Sequence, residues 1–367
     1  MNKLNNSRRK FLGAAAASTA FAAVPYIRTA NAQSSEVNIW TYDSFVPEAF
    51  KKQFEKDTGI KVNVRLVDDQ GKQFNLLAAE APEPTVDIVT VAGHRFLQFI
   101  DSELLAPMDQ DRLSNWGNIN PIYSESDWAT INGNKWGAPI LSGAEILAYN
   151  TDIVSAEEAR SWDVLFSEKY KQQTAYIIQD MMSIVMLYKG YDGNMVEYLD
   201  DPKKAEAIVA EARDFMIENK PLVRKYYDSG AEVQQMFINQ DISLAHAWNG
   251  PIAKLINDGF PVAMTIPKEG SYGFVYTLNI ANNAPNSDNA YTFLNALLAS
   301  SEIGASMTSE TGFISTYKDA AQHLTELEKK STAFTEEELE GLKFFRAEAN
   351  EMKYGLVDPA VEQIKAA

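Results

Sequence analysis

Five consecutive segments decide the fold: VNIWT (37–41), EAFKKQFEK (48–56), KVNVRLV (61–67), FNLLAAEA (74–81) and DIVTV (87–91). The third segment alternates, with Val62, Val64 and Leu66 on one face, which is typical of a strand. The second carries Phe50 and Phe54 four residues apart, which is helical spacing. Strand and helix patterns therefore alternate along this part of the chain. This order predicts an α/β fold, a mostly parallel sheet with helices on both of its faces.

The rest of the chain continues this pattern less regularly. A long apolar stretch at 139–149 is interrupted by Glu145, and Asp201-Pro202 is typical of a helix start, with Asp as the cap and Pro in the first turn. Further elements are predicted as strands at 242–247 and 274–280, a helix at 290–298 and acidic helices from 335 to 365. The absence of a flexible linker predicts that any domain crossings lie within ordered segments.

The first 32 residues are typical of an export signal. They hold five basic residues (Lys3, Arg8, Arg9, Lys10 and Arg28), no acid, an apolar run from 11 to 24 and the small-residue cleavage motif Ala30-Asn31-Ala32. The stretch Ser7-Arg8-Arg9-Lys10-Phe11-Leu12-Gly13 resembles the twin-arginine motif, which a receptor reads as an address. We therefore expect export by the twin-arginine translocase. The 335 residues that follow, at about 150 residues per domain, predict two domains.

The composition excludes several classes of function. Without the signal, 28 basic residues face 50 acidic ones, and the net charge falls from −17 to −22. This negative charge argues against nucleic acid or an anionic membrane as a partner. It permits cationic ligands. A simpler interpretation is that the charge serves only the solubility of the protein. The absence of cysteine excludes disulfides, thiolate metal sites and a lipidated N-terminus. Export without disulfides or lipid predicts a soluble protein of the periplasm.

No arrangement of residues calls for catalysis. His94, His246 and His323 lack metal-ligand spacing, and the chain has neither a G-x-S-x-G motif nor a P-loop. His246 falls in a strand pattern and is predicted to be a core histidine. His323 lies on a polar helix face and is predicted to be solvated. We therefore expect a protein without enzyme activity, cofactor or metal.

Several short motifs, taken in order, resemble a known family. They are WTYDSFVP (40–47), FEKDTGIKV (54–62), WGAPI (136–140), AWNG (247–250) and PKEG (267–270). In this order and spacing they are similar to extracellular solute-binding proteins of ABC importers, in the branch that binds spermidine and putrescine. The resemblance covers most of residues 36–320.

The resemblance implies a two-lobe periplasmic binding protein fold of type II, with a small ligand in the cleft between the lobes and hinge closure around it. The expected boundaries are 1–32 for the signal, 33–142 plus 272–320 for the N-terminal lobe and 143–271 plus 321–367 for the C-terminal lobe. It also implies the permease subunits of an ABC transporter as partners. Ligands of open α/β sheets bind beyond the carboxyl ends of strands. The segments predicted there are Tyr42-Asp43-Ser44-Phe45, Gly93-His94-Arg95 and Trp248-Asn249.

Some of these positions match the family's polyamine sites, which use aromatic walls and carboxylates at the ammonium ends. Trp248 matches an aromatic wall, where cation–π attraction is worth roughly 0.5–2 kcal/mol. The alternative is a tryptophan that only packs. Asp43 and Asp180 match acidic or polar positions of the family, and each could instead cap a helix.

Other positions depart from the family. The replacements are Tyr276 for an amine-binding Asp, Phe274 for a tryptophan, Ser183 for a second acid, and His94 or Arg95 at a tyrosine position. Glu145 lies in an apolar strand where the family is usually uncharged. A buried charge is costly unless it is paired. Glu145 is therefore expected either to contact the ligand or to pair with a structural Arg or Lys.

The kept and altered positions together predict a small organic cation or zwitterion rather than spermidine itself. Arg95 could receive a carboxylate, sulfonate or phosphonate through a bidentate pair. Three alternatives stay open. They are a thiamine-type ligand, since residues 42–45 resemble thiamine-binding members of the superfamily; ferric ion, held by the adjacent Tyr226-Tyr227; and a periplasmic enzyme on an α/β fold.

Replacing both Arg8 and Arg9 by Lys should retain the precursor in the cytoplasm, because the twin-arginine receptor needs both guanidinium groups. Cell fractionation and immunoblotting measure the distribution. A Lys3→Arg variant leaves the motif intact and should be exported like the wild type. An unchanged periplasmic yield of the double variant would contradict the twin-arginine route.

Overall fold

The computed structural model describes residues 35–67, 69–335, 338 and 340–367. The predicted export signal, 1–32, lies outside the described residues. The strands are β1 (Glu36–Thr41), β2 (Lys61–Leu66), β3 (Ile88–Ala92), β4 (Thr130–Ile131), β5 (Asn134–Lys135), β6 (Ala138–Asn150), β7 (Thr174–Tyr176), β8 (Val223–Tyr226), β9 (Leu244–Trp248), β10 (Val262–Thr265), β11 (Ser271–Ile280), β12 (Ile314–Ser315) and β13 (Leu342–Phe344). The helices are α1 (Glu48–Thr58), α2 (Gln70–Glu80), α3 (Phe96–Asp101), α4 (Pro121–Ser124), α5 (Ile178–Tyr188), α6 (Pro202–Asn219), α7 (Gly230–Ile238), α8 (Asn249–Asn257), α9 (Ser287–Leu297), α10 (Ser301–Thr311), α11 (Glu326–Thr332) and α12 (Asn350–Ala366).

The first part of the sheet has the predicted alternation of strands and helices. β1 pairs in parallel with β2 and β3, and β3 pairs antiparallel with β11. Phe50 and Phe54 of α1 are buried in the core beneath this sheet, as their spacing predicts. Gly59 ends α1 in the left-handed conformation, with φ 71°, which glycine adopts without strain. We call these strands (β1, β2, β3 and β11) and the helix α1 packed on them, together with the first half of β6, the first lobe.

β6 joins the two parts of the sheet. All of its residues, Ala138–Asn150, are buried. Its first half pairs antiparallel with β11, and its second half pairs antiparallel with β9 from Glu145 onwards. β9 pairs in parallel with β7, which pairs in parallel with β8. We call these strands, with the second half of β6, the second lobe. The expected α/β class is confirmed, and the sheet is mixed because β11 is antiparallel to β3 and β6, and β6 is antiparallel to β9. The residue boundaries given above for the two lobes stay a prediction.

A buried carboxylate fixes the start of β3. Asp87 is fully buried and accepts hydrogen bonds from the backbone nitrogens of Asn38, at 2.7 Å, and Asn286, at 2.6 Å. Buried charges need such partners. The network ties β3 to β1 and to the loop before α9. It thereby positions the carboxyl end of β3, which carries the predicted site segment 93–95.

The C-terminal region differs from the prediction. Acidic helices were expected from 335 to 365, but Leu342–Phe344 form β13, which pairs in parallel with Ser271–Gly273 of β11. Along β11, β3 pairs only with residues 276–280, so the start of β11 can pair with another strand. This pairing with a distant segment overrides the helical propensity of residues 342–344. The expected helix start at Asp201 is confirmed, since its side chain accepts from the Lys204 nitrogen at 3.2 Å. Within the part of the chain that the structure describes, no helix has the length and apolar character needed to cross a membrane.

Candidate ligand-binding cleft

A cleft of about 1310 Å³ opens between the two lobes. It lies at the carboxyl ends of β1 and β3 in the first lobe and of β7, β8 and β9 in the second. Because backbone and side-chain groups converge at these ends, this is where open α/β sheets bind ligands. The predicted site residues that line it are Tyr42, Asp43, Ser44, His94, Arg95, Glu145, Asp180, Trp248, Phe274 and Tyr276.

Asn249 is the predicted site residue that the structure does not bring to the cleft. It is fully buried at the start of α8. Its side-chain oxygen accepts from the Ala144 nitrogen at 2.9 Å, and its side-chain nitrogen donates to the Gly312 carbonyl at 3.5 Å. Asn249 therefore holds β6 against the second lobe, beneath the cleft wall.

Aromatic rings form one wall of the cleft. They are Tyr42, Phe45, Phe274, Tyr276 and Phe313, with neighbouring ring centroids between 5.1 and 6.3 Å apart. A Cβ atom at Gly143 would lie 2.4 Å from the Phe274 ring, so glycine in β6 permits this packing. The wall offers apolar surface to the carbon chain of a ligand and π faces to a cation.

The loop after β1 presents Asp43 and Ser44 at the rim. Ser44 has a positive φ of 63°, and the turn it forms leaves Asp43 exposed at the cleft. The alternative role of Asp43, as the cap of α1, is not observed. Pro47 is the N-cap residue of this helix, and no side chain forms a capping hydrogen bond there. Asp43 is therefore available to a ligand.

Two carboxyl groups and one indole meet at the centre of the cleft. Glu145 is 1% exposed, and its backbone lies opposite Trp248 in the β6–β9 register. Asp180 lies in the first turn of α5, where its side chain does not cap the helix. The two carboxyls and the Trp248 side chain lie close enough for the Trp248 side chain to lower the pKa of both carboxyls. We call Glu145, Asp180 and Trp248 the acidic centre.

Burial makes the acidic centre hard to ionise. It raises the pKa of Glu145 to about 8, against the lowering effects of the nearby Trp248 side chain, the charge of Lys353 and the Asp180 carboxyl. Burial and then the charge of Glu145 raise the pKa of Asp180 to about 7. Neighbouring carboxyls in a dry wall resist carrying two negative charges. An arriving cation would relieve this repulsion, so the acidic centre suits a positively charged group.

His246 packs behind Glu145 and is the core histidine predicted from the sequence. It is fully buried, and its Nε2 lies 2.8 Å from Glu145 Oε2, although the two atoms are not aligned as a hydrogen bond. Burial, opposed by the charge of Asp180, lowers the pKa of His246 to about 4. The lowered pKa favours the neutral imidazole at neutral pH and so disfavours an ion pair with Glu145. Among the described residues no Arg or Lys forms an ion pair with Glu145 either, so that alternative is not observed.

The acidic centre has a basic neighbour in α12. Lys353 is 3% exposed, and its Nζ lies 4.7 Å from the Phe345 ring centroid and 5.6 Å from that of Tyr354. Burial lowers its pKa to about 8, and the charges of Asp180, Asp192 and Glu145 counter this. Lys353 thus places a positive charge behind the wall that carries the two carboxyls.

The loop after β3 presents a second basic group to the cleft. The guanidinium of Arg95 lies over the Tyr354 ring, with its Cζ 5.8 Å from the ring centroid. The Nε of Arg95 and the Nδ1 of His94 are buried without hydrogen-bond partners. Burial, followed by the charges of Arg95 and Lys353, lowers the pKa of His94 to about 3. This end of the cleft therefore offers one guanidinium and a neutral imidazole to an anionic or polar group.

Among the residues that the sequence interpretation missed are Phe313 and Tyr354, which line the cleft, and Lys353, which does not line it. A signal for Lys353 was present. It lies on the buried face of α12 with Val357, Val361 and Ile364, where a lysine interrupts an apolar stripe. Phe313 and Tyr354 gave no comparable signal, because only the folded chain brings them to the cleft.

Neither the ferric-ion alternative nor a functional role for His323 gains support from the geometry. Tyr227 is 2% exposed and donates its hydroxyl to the His246 carbonyl at 2.7 Å, so it belongs to the core. Within the described ranges no cluster of three or more His, Cys, Asp or Glu side chains could hold a metal ion. His323 is exposed, as predicted, with its Nε2 2.9 Å from the Ser301 hydroxyl.

Comparison with known proteins places this fold and cleft in a family. Residues 49–335 match the family of bacterial extracellular solute-binding proteins. The chain belongs to this family. Its members are solute-binding proteins rather than enzymes, and the resemblance expected from the short motifs is confirmed.

Three similar proteins illustrate the relationship. Spermidine/putrescine-binding periplasmic protein 1 of Haemophilus influenzae is 24% identical over 269 residues, 73% of this chain and 71% of the relative. The putrescine-binding periplasmic protein PotF of Escherichia coli is 27% identical over 290 residues, 74% and 75% of the two chains. The crystal structure of the spermidine/putrescine ABC transporter substrate-binding protein PotD from Streptococcus pneumoniae superposes with a TM-score of 0.76, at 20% identity, covering 90% of this chain and 98% of that chain. The expected type II two-lobe fold and the periplasmic location are confirmed.

A Glu145→Gln variant should change how stability depends on pH. The folded-state pKa of Glu145, about 8, lies above its ordinary value of 4.5, so between these values the folded protein holds a proton that the unfolded chain has lost. Glu145 therefore makes the wild type less stable as pH rises through this window. Glu145→Gln has no such carboxyl, so it does not lose this stability. The difference between its free energy of unfolding and that of the wild type should therefore increase by up to about 1.4 kcal/mol for each pH unit in this window.

Denaturant unfolding across that pH window measures the difference. Glu218→Gln is the matched control, because Glu218 is exposed on α6, and its curve should run parallel to that of the wild type. Parallel curves for Glu145→Gln as well would show that Glu145 is ionised in the folded protein throughout.

Proposed function

We propose that this protein captures a small organic amine, either a cation or a zwitterion, between its lobes and delivers it to the permease of an ABC importer. The observation that carries the proposal is the acidic centre. Two carboxyls and an indole converge in the second lobe, from the middle of β6, from the first turn of α5 and from the carboxyl end of β9. Carboxylates and an aromatic face are the groups that bind an ammonium ion. The names of the relatives, which bind spermidine and putrescine, support an amine over thiamine, ferric ion or an enzyme substrate.

Lobe closure strengthens these contacts. When the cleft closes, water leaves and the effective dielectric constant falls, so each ion pair between ligand and protein gains energy. The aromatic wall then covers the carbon chain of the ligand, and Asp43 at the rim adds a further negative charge. The large negative net charge of the chain favours the approach of a cation.

Arg95 distinguishes a zwitterion from a simple cation. Its guanidinium lines the cleft, forms no ion pair within the described part of the chain and leaves Nε without a hydrogen-bond partner. A planar guanidinium suits a carboxylate, sulfonate or phosphonate. A ligand with an ammonium group at one end and an anion at the other would therefore use both the acidic centre and Arg95.

The remaining parts of the proposal concern delivery. The basic N-terminal segment with Arg8-Arg9 supports export by the twin-arginine translocase, with cleavage after Ala32. Partners of the folded protein are the permease subunits of the transporter. Membership of a family of solute-binding proteins supports binding of the ligand without its turnover.

Trp248→Ala should weaken amine binding most, because it removes apolar area and cation–π attraction together. Glu145→Gln should weaken it by about 30-fold or more, since losing one partner of a buried charge pair costs roughly 2–5 kcal/mol. Asp43→Asn should do the same if Asp43 meets the cation directly. A thermal-shift screen against putrescine, spermidine, betaines, amino acids, thiamine and phosphonates selects the probe, because binding only to the folded state raises the melting temperature.

Calorimetry on the folded variants then measures affinity. Trp116→Ala is the control for loss of a half-buried tryptophan that does not line the cleft, and its affinity should match the wild type. If Glu145→Gln and Asp43→Asn both bind the amine as tightly as the wild type does, the cation site lies elsewhere. An Arg95→Met variant separates the ligand classes: a zwitterion should bind more weakly, whereas a pure cation should bind equally or more tightly.

A further inference from the structure

The crevice between β1 and β3 lies where the first lobe changes its direction of winding. The strand order is β2-β1-β3, so the chain moves to one side of β1 through α1 and to the other side through α2. Ligands of open α/β sheets bind at such a switch point, beyond the carboxyl ends of the strands. Side chains that fill this crevice are therefore placed to act on the ligand.

β1 and β3 separate before β3 ends. The last pair in their parallel register is Trp40 with Val89. In the same register Tyr42 would lie opposite Val91, but Tyr42 belongs to the loop that follows β1. The backbone groups at the end of β3 that face this side therefore lie beyond the paired part of β1, and they need another hydrogen-bond partner.

The side-chain amide of Gln70 takes the place of the missing strand. Gln70 is the first residue of α2, directly after the cap residue Asp69. Its Oε1 accepts from the Ala92 nitrogen at 3.1 Å, and its Nε2 donates to the Thr90 carbonyl at 3.1 Å. A parallel strand residue opposite Val91 would bind the same carbonyl and the same N–H. Because the Ala92 N–H can only donate, it also fixes which end of the amide carries the oxygen.

The same amide holds Tyr42. Gln70 Nε2 donates to the Tyr42 hydroxyl at 3.0 Å, so the amide nitrogen binds both Thr90 and Tyr42. Within the aromatic wall, the centroid of the Tyr42 ring lies 5.2 Å from that of Phe45 and 5.3 Å from that of Tyr276. Gln70 thus connects the end of β3 to a ring that lines the cleft, and its own side chain lines the cleft beside that ring.

We propose, building on the proposed function, that Gln70 is a positioning residue for amine binding. Its amide fills the crevice between β1 and β3 in place of a strand, and it fixes the Tyr42 ring in the wall that covers the carbon chain of the ligand. A glutamine suits this role because one amide group supplies an acceptor and two donors in a fixed geometry. Since the ring is held before the ligand arrives, less conformational entropy is lost on binding.

Gln73 provides a matched control one turn further along α2. It is buried, and its Nε2 donates to the same Thr90 carbonyl at 2.6 Å. Unlike Gln70, it does not line the cleft. Replacing either glutamine by Met removes an amide from the Thr90 carbonyl, whereas Gln70→Met also removes the hydrogen bond to Tyr42. The two variants therefore separate support of the strand end from positioning of the ring.

Calorimetry on the mature protein measures the effect, with putrescine as a cationic probe and γ-aminobutyrate as a zwitterionic probe. For each probe that binds the wild type, Gln70→Met should weaken binding by about tenfold, because a hydrogen bond and the fixed position of the ring are both lost. Gln73→Met should lower the free energy of unfolding and keep the affinity within about twofold of the wild type. Wild-type affinity in Gln70→Met, or equal losses of affinity in the two variants, would overturn the proposal.

A double-mutant cycle tests whether Gln70 acts through Tyr42. Tyr42→Phe removes the hydroxyl that Gln70 holds. Adding Gln70→Met to this variant should therefore weaken binding by about threefold or less, against about tenfold in the wild-type background. If the two losses multiply instead, Gln70 acts independently of Tyr42, and the proposed positioning role is wrong.

A spectroscopic measurement keeps the proposal testable if Gln70→Met fails to fold. In protein with isotope-labelled glutamine, the side-chain amide resonances of Gln70 should shift in Tyr42→Phe, because the amide loses an acceptor. They should also shift when a saturating amine probe contacts the wall. Unchanged resonances in both cases would contradict the role of Gln70. If no amine raises the melting temperature of the wild type, the proposed function itself fails, and the Tyr42→Phe spectrum distinguishes this result from failure of the Gln70 contact.

Discussion

Two neighbouring carboxyl groups, the buried Glu145 and the half-buried Asp180, set the constraint on which the rest of the site depends. Glu145 enters the cleft from the strand that both lobes share, and Asp180 enters from the first turn of α5. Their repulsion must be relieved by a proton, by the charge of Lys353 or by a ligand. Without a ligand, burial favours the protonated form of Glu145. With a cation, both carboxyls can ionise, and ligand binding becomes coupled to proton release and to closure of the lobes.

The fold supplies this arrangement through strand direction. β1 and β3 deliver the 42–45 and 93–95 loops to one edge, and β7 and β9 deliver Asp180 and Trp248 to the facing edge. β6 runs through both lobes, so Glu145 sits at the point where the sheet changes its pairing from β11 to β9. Movement of one lobe against the other would therefore change the surroundings of Glu145 more than those of a residue within either lobe.

Local patterns were sufficient for most of the fold and for most of the cleft wall. Alternation at 61–67, the spacing of Phe50 and Phe54 and the cap at Asp201 each depend on near neighbours in the chain, and each is observed. Features set by distant contacts could not be obtained this way. β13 forms because β11 leaves an edge open, and Lys353 matters because α12 packs beneath the acidic centre. Asn249 matched the family by position, yet its hydrogen bonds to Ala144 and Gly312 turn it inward.

The coupling between cation and proton is the most direct test of this account. Calorimetric titration with an amine that binds, at about pH 7 and in buffers of different ionisation enthalpy, reports the protons exchanged on binding. A cation lowers the pKa values of Glu145, Asp180 and Lys353 together, so we expect net release approaching one proton per ligand. The apparent enthalpy should then vary with the buffer. Heat that is independent of the buffer, or proton uptake, would contradict a ligand cation at the acidic centre.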